Sequence, residues 1–196
     1  MRLCVFQGTF NPIHNAHLKI AQYVQDNFDY DKIVFIPAYK PPHKDFDERM
    51  SQHRLVMVKL ATEGYDNFEV SDIEFRREGL SYTYLTIKEL YKLYDVEGKI
   101  GFIIGTDAFV NLPAWYETDK LKELVDFILF KRDNVIDKNR LALLSNKGYK
   151  FNMMDMDFID ISSTHIRQIL GKNESAGEFL PHRTWEYIKN NELYRT

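Results

Sequence analysis

The sequence predicts an α/β protein, a doubly wound parallel sheet with a C-terminal helical cap. Three observations carry that expectation. Short apolar runs alternate with longer segments in which apolar residues recur at helical spacing. The short runs are continuously apolar, as strands buried on both faces must be. Beyond residue 145 the alternation gives way to two short apolar runs and then two helical segments in succession.

The elements follow in order. Leu3 to Phe6 reads as the first strand, and Leu18, Ala21, Val24 and Phe28 mark the helix after it. Ile33 to Ile36 is the second strand, ended by Pro37. Ser51 to Glu63 reads as a helix with Gly64 as its stop. Phe68 to Ile73 is a third strand, and Tyr84, Ile87, Tyr91 and Tyr94 lie on one face of the next helix. Ile100 to Ile104 is a fourth strand closed by Gly105. A short helix over Leu121 to Val125 and a fifth strand over Phe127 to Phe130 come next. Phe151 to Met154 and Phe158 to Ile161 are the two short apolar runs, and the helices are Ser163 to Leu170 and Pro181 to Asn190. We expect a single domain over residues 1–196, with an α/β core to residue 145 and the cap from 146 onward. The polar, basic stretch from Pro37 to Arg49 is expected to be a mobile loop.

Composition narrows the partners. Lys plus Arg number 26 against 29 Asp plus Glu, a net charge of −3 that argues against a general nucleic-acid binder with a basic face. A small basic pocket stays open. Cys4 is the single cysteine, so no intramolecular disulfide forms, and its apolar neighbours assign it to packing. The run Leu3 to Phe6 is too short for a secretory signal, and no segment approaches the ~20 apolar residues of a membrane span. The expectation is a soluble, cytoplasmic protein with neither nucleic acid nor membrane as partner.

In such sheets ligands bind beyond the carboxyl ends of the strands, so the chemistry is sought there. The first strand runs into Gly8-Thr9-Phe10-Asn11-Pro12-Ile13-His14-Asn15-Ala16-His17. Gly8 permits close backbone approach to a ligand, and Thr9 both donates and accepts hydrogen bonds. His14 and His17, three residues apart, share a helix face. The helix N-terminus beside them offers N–H groups and positive potential to a phosphate. The same pair could be a cap, or half of a zinc site, but His43, His53, His165 and His182 supply no familiar zinc spacing. Neither GxGxxG nor GxxxxGK[ST] is present.

A second group stands at Ile161-Ser162-Ser163-Thr164-His165-Ile166-Arg167. Hydroxyls at a helix start could be no more than an N-cap. With Arg167 one turn on, hydroxyls, helix N–H groups and a guanidinium converge as a polyphosphate cradle would require. Asp155, Asp157 and Asp160 alternate with apolar residues and read as a half-exposed strand rather than a metal cluster.

GTFNPIHNAH together with ISSTHIR resembles the nucleotidyltransferase superfamily marked by (T/H)xxH and ISSTxxR motifs. More narrowly, the chain resembles bacterial nicotinate-nucleotide adenylyltransferases, whose fold is Rossmann-like. Four further segments carry that match: Pro41-Pro42-His43-Lys44, the run Arg77-Glu78-Gly79-Leu80-Ser81-Tyr82-Thr83, Gly105-Thr106-Asp107, and Leu112-Pro113-Ala114-Trp115-Tyr116. The terminal Asn191-Glu192-Leu193-Tyr194 also fits. The chain departs from the pattern at Gln7 (usually glycine), Asn11 (often aspartate), Leu85 (commonly aspartate) and Asp133 (usually proline).

The resemblance implies a reaction: nicotinate mononucleotide and ATP give nicotinate adenine dinucleotide and pyrophosphate, in NAD biosynthesis. It implies that His14 and His17 contact the ATP phosphates, including the transferring α-phosphoryl, together with Arg167. Gly8, Thr9 and Phe10 would place the attacking phosphate. Ser162, Ser163 and Thr164 would hold the β- and γ-phosphates with Arg167, and Lys44 would close over phosphate. Gly105 and Asp107 would meet a ribose, and Tyr82, Thr83, Trp115 and Arg132 the pyridine nucleotide. Mg²⁺ would enter with ATP, held mainly by the substrate phosphates rather than by a protein metal site. A mononucleotide phosphate is largely dianionic near pH 7 and needs no general base. That agrees with a sequence lacking an evident paired-carboxylate or Ser-His-Asp arrangement. Other transferases of the superfamily, acting on nicotinamide mononucleotide or phosphopantetheine, and a nucleotide sensor without turnover are the competing readings.

Overall fold

Side chains alternate across a strand, so a strand apolar at every position buries both faces. β1 (Leu3–Gly8) does this: Cys4 and Phe6 join one hydrophobic cluster, Leu3 and Val5 another. The computed structural model describes residues 1–42, 46–132 and 137–195. Among these, β1, β2 (Lys32–Pro37), β3 (Phe68–Val70), β4 (Ile100–Gly105), β5 (Val125–Phe130) and β6 (Phe151–Met153) form one sheet. Its order is β3-β2-β1-β4-β5-β6 and every pairing is parallel. The expected doubly wound α/β architecture is thus observed.

The two clusters sort the helices onto the two faces. One face carries α1 (Asn15–Asn27) and α2 (Glu48–Thr62) through Leu18, Ala21, Met57 and Val58. The other carries α3 (Thr83–Leu93), the single-turn α4 (Thr106–Phe109), α5 (Thr118–Leu124) and α6 (Lys138–Asn146). Ile87, Phe109, Leu121 and Leu141 are their buried contacts. The late helices α7 (Ser163–Gly171) and α8 (His182–Asn190) return to the first face, where Ile166, Leu170 and Ile188 join the cluster of α1 and α2. Thr184 Oγ1 on α8 donates to the Met57 carbonyl of α2 at 3.3 Å. The cap is therefore a layer against the sheet face that carries α1.

Several boundaries move for local reasons. α2 starts three residues before the expected Ser51, because Asp47 caps it by accepting the Met50 N–H at 3.2 Å. β3 stops at Val70 rather than Ile73, because the chain turns with the Phe75 N–H donating to the Asp72 carbonyl. The helix α6 had no sequence expectation; Asp137 caps it, and Leu141 and Leu144 give it a narrow apolar edge. Residues 155–160 form no strand, so the half-exposed strand expected there is absent; Met156 and Ile161 pack on the core from irregular backbone. β6, beyond residue 145, pairs with β5 and so continues the sheet. Cys4 is fully buried, and burial pushes its thiol pKa up. Among the described residues no helix is long and apolar enough to cross a membrane.

Candidate active site

The chain leaves β1 toward β2 on one side and leaves β4 toward β5 on the other, so the switch point lies between β1 and β4. Beyond Gly8 and Gly105, the carboxyl ends of these strands, opens a cleft of about 720 Å³. Its walls come from the turn after β1, the segment Leu80–Thr83, the stretch Ala114–Tyr116, Asp107, Arg132 and the start of α7.

The histidine pair sits at the head of α1. His14 is the residue preceding the first helical turn, in extended backbone, and His17 lies in that turn. The His14 N–H donates to His17 Nδ1 at 3.1 Å. A ring nitrogen that accepts carries no proton, so the proton of the neutral His17 ring is on Nε2. The two imidazoles stack, with centroids 3.7 Å apart at 27°. Phe6 and Phe10 meet the His17 ring edge-on at 5.7 and 5.0 Å. His17 lines the cleft, whereas His14 is one ring behind it and 1% exposed. Both His14 ring nitrogens are buried with no hydrogen-bond partner among the described residues. Burial, reinforced by the Arg132 charge, lowers the His14 pKa to about 3. Burial, the His14 ring and Arg132 hold His17 well below its usual value. Both rings are therefore neutral at pH 7, and His17 is a donor fixed in tautomer.

Gly8 lines the cleft, and its lack of a side chain has a second use. A Cβ there would lie 3.1 Å from the Phe10 ring, which folds back over the strand end. Phe10 holds left-handed backbone, φ 48°, to do so. The glycine thus accommodates the chain's own aromatic ring. At Gly105 a Cβ would lie 2.6 Å from Asp107 Oδ1, so this glycine lets that carboxylate fold over the end of β4.

The start of α7 is clamped to the turn after β1. Ser163 Oγ donates to the Pro12 carbonyl at 2.9 Å, and Arg167 Nη1 to the Asn11 carbonyl at 2.8 Å. Arg167 Nη2 donates to Thr164 Oγ1 at 3.3 Å. Ser163, Thr164 and Arg167 line the same cleft as His17, so the late motif and the second histidine of the first open onto one space. Ser162 serves as the N-cap of α7, accepting the His165 N–H at 3.2 Å, and is not part of the lining. Lys44 lies outside the described residues.

At the other end, Tyr82, Thr83 and Trp115 line the cleft. The Tyr82 ring stacks on Tyr116 at 4.6 Å. The Tyr82 N–H donates to the Leu80 carbonyl and is committed there. Thr83 begins α3, where N–H groups have no acceptor within the helix. Arg132 lies 3.8 Å from Asp107 Oδ2, and its charge is felt by both imidazoles.

Two residues at this site were not singled out in the sequence. Arg54 on α2 is 3% exposed; its guanidinium donates to the Thr9 carbonyl at 2.6 Å, the Tyr39 carbonyl at 3.3 Å and Ser51 Oγ at 2.9 Å. Its signal was an arginine on the buried stripe Ser51, Arg54, Val58, Ala61 of α2. Glu74, 2% exposed, accepts from Gln7 Nε2 at 2.6 Å, Thr86 Oγ1 at 2.5 Å and the Tyr39 N–H at 3.3 Å. Gln7, one of the departures from the family pattern, is thereby tied to the loop after β2.

This geometry can be set beside known proteins. The cytidylyltransferase-like family model matches residues 5–169. A Clostridium botulinum protein (strain Kyoto / Type A2), named probable nicotinate-nucleotide adenylyltransferase, is 34% identical over 97% of this chain and 98% of its own. A Clostridium tetani protein of the same name is 36% identical with the same coverage. The chain belongs to the cytidylyltransferase-like family, among its nicotinate-nucleotide adenylyltransferases. The fold also matches a Plasmodium falciparum nicotinic acid mononucleotide adenylyltransferase complexed with NaAD, with a TM-score of 0.80 at 22% identity over 98% of this chain and 97% of that one. By the general rule for open α/β sheets, the cleft at the β1–β4 switch point is where a ligand is to be sought.

Proposed function

We propose that the chain transfers the adenylyl group of Mg-ATP to the phosphate of nicotinate mononucleotide, forming nicotinate adenine dinucleotide and releasing pyrophosphate. The observation that carries this reading is that His17, Ser163, Thr164 and Arg167 all line the same switch-point cleft. The family membership and the names of the relatives support the substrates.

The attacking phosphate is already anionic, so the obstacle is repulsion between anions and charge on the departing pyrophosphate. Catalysis then rests on alignment and charge neutralisation. His17, neutral with Nε2–H toward the cleft, donates to a non-bridging oxygen of the α-phosphoryl. A neutral donor there does not titrate in the working range. His14 supports it from behind and can offer a buried ring nitrogen if the phosphate seats deeply; an unsatisfied buried polar atom costs about 1–3 kcal/mol, which such contact would recover. Thr9 and the backbone of Gly8 and Phe10 seat the nucleophile. Ser163, Thr164, Arg167 and the N-terminus of α7 take the β- and γ-phosphates, with Ser162 as the cap that fixes that helix start. Lys44 adds charge from its loop. We group Arg132 with the phosphate side, because its charge reaches both imidazoles.

Mg²⁺ would neutralise phosphate charge when bound. The described residues hold no group of three His, Cys, Asp or Glu able to cage a metal. Asp107 is the carboxylate lining the cleft. One carboxylate plus substrate phosphates is the donor set Mg²⁺ commonly accepts, so the residues fit a cation carried by the nucleotide. Asp107 could equally accept from a ribose hydroxyl.

The pyridine ring would stack at Trp115, and its carboxylate would face the N-terminus of α3 at Thr83. Charged hydrogen bonds of this kind contribute about 1.5–3 kcal/mol, a preference of roughly ten- to a hundredfold for nicotinate over nicotinamide. The test is pyrophosphate release from Mg-ATP with nicotinate mononucleotide, nicotinamide mononucleotide or phosphopantetheine offered in turn. Release fastest with nicotinate mononucleotide is expected. Release only with phosphopantetheine, or with none of the three, would overturn the proposal.

A further inference from the structure

The turn after β1 is held by a group from the far end of the chain. Tyr194 OH donates to Asn11 Oδ1 at 2.6 Å, a bond spanning 183 residues of sequence. Tyr194 packs against the core cluster and takes left-handed backbone, φ 66°. That conformation is unfavourable for any residue but glycine, and it persists where the surroundings hold it. The Asn11 carbonyl, on the same residue, is the acceptor of Arg167 Nη1 at 2.8 Å. The guanidinium charges of Arg54 and Arg167 are both felt at the Tyr194 hydroxyl. Arg54 in turn holds the Thr9 carbonyl, two residues before Asn11. Asn11 is thus gripped at its side chain by the C-terminal segment and at its backbone by the guanidinium assigned to the triphosphate.

We infer that Tyr194 is a positioning residue for the ATP side of the cleft: its hydroxyl fixes Asn11, and Asn11 fixes the reach of Arg167 toward the leaving pyrophosphate. The inference rests on the reading of Arg167 as a phosphate-binding group. It places a functional constraint on Tyr194, in a cap otherwise explained by packing.

The strut ends on the residue that holds Arg167, whereas the groups assigned to the pyridine ring, Thr83 and Trp115, come from other segments of the cleft lining. Tyr194→Phe removes only the hydroxyl and keeps the ring in the core. Its kcat/KM for Mg-ATP should fall by about tenfold, the scale of one buried hydrogen bond. Its KM for nicotinate mononucleotide should stay within about twofold. Asn11→Leu should give the same split, and the double variant should be no worse than the poorer single, as expected of two groups acting through one bond. Asn11→Asp keeps an acceptor for the hydroxyl and should retain activity. Calorimetric titration with Mg-ATP alone gives an independent readout: Tyr194→Phe should bind it more weakly than the natural chain. Equal losses toward both substrates, additive losses in the double variant, or unchanged Mg-ATP binding by Tyr194→Phe would each overturn the inference. A natural chain that binds Mg-ATP but releases no pyrophosphate would count against the proposed reaction while the titration still decides the strut.

Discussion

The backbone N–H of His14 donates to Nδ1 of His17, and this one bond at 3.1 Å decides which nitrogen of His17 the cleft meets. A histidine free to exchange tautomers would present a donor only part of the time. Here the helix start fixes the donor before any substrate arrives, and burial keeps the ring neutral.

The consequence for turnover is direct. His17→Ala should lower kcat by about 10²–10³, the usual cost of removing one donor aimed at developing charge. Its melting temperature should change by only a few degrees. Because both imidazoles are held below their usual pKa, the natural enzyme's kcat should show no ionisation near pH 6.5 arising from them. A steady-state pH profile checks this. An ionisation near 6.5 that disappears in His17→Ala would show that the ring works as a titrating group.

His14 gives a stability prediction of definite sign. Its folded pKa, about 3, lies below the ordinary value near 6.5, so the unfolded chain takes up a proton first as pH falls. The stability from keeping this ring neutral is complete above about pH 6.5 and is lost progressively toward pH 3. His14→Phe keeps a stacked ring and cannot titrate. Between pH 7 and 5 its melting temperature should fall less steeply than that of the natural chain, whatever the offset at pH 7. Parallel curves by scanning calorimetry would contradict the assignment.

What the sequence revealed and what it hid divide by range. Gly8 to His17 runs from the end of β1 into α1, and Ser162 to Arg167 opens α7; each is a contiguous segment and so was legible as a motif. Arg54, Glu74 and Tyr194 act over 45, 67 and 183 residues of chain, through bonds to Thr9, Gln7 and Asn11. Such partnerships leave no periodic signal; only the charge on the buried stripe of α2 hinted at one. Residues 155–160 misled because alternating polarity fits a strand, while no partner strand there completes a ladder. Nothing local shows that the ring of Phe10 will fold back over Gly8.

That ring sets the next prediction. Gly8→Ala places a Cβ 3.1 Å from the ring of Phe10, which is itself wedged against Phe6 at 5.5 Å and Phe35 at 6.0 Å. The ring must shift, and with it the packing on His17. Overpacking of this kind costs about 1–3 kcal/mol. We expect a lower denaturation midpoint together with a fall in kcat, measured on the same preparation. A variant with full activity would mean that the ring moves without disturbing His17.

Arg54 should not tolerate the conservative change. Its guanidinium reaches three acceptors at once, the carbonyls of Thr9 and Tyr39 and the Ser51 hydroxyl. A lysine ammonium is a point charge without that planar fork. Arg54→Lys should therefore lose at least one of these three hydrogen bonds, at about 1–3 kcal/mol. The loss should appear in chemical denaturation, and kcat/KM should fall because Thr9 is no longer held.

Glu74 ties the same turn from the opposite side, and its substitutions separate charge from shape. Its side chain is 0% exposed, with Arg77 3.9 Å away and three hydrogen-bond donors on its two oxygens. In Glu74→Gln the amide oxygen can keep Gln7 and Thr86, but the new NH₂ then faces the Tyr39 N–H, donor against donor. Arg77 also loses its buried counter-charge. Together these should cost about 2–4 kcal/mol. Gln7→Gly removes only one of the three donors and should cost less. Denaturant midpoints of the two variants, read beside the KM for the mononucleotide, test the order. If Gln7→Gly is the more damaging change, the carboxylate is not the hub that joins β1, the loop after β2 and α3.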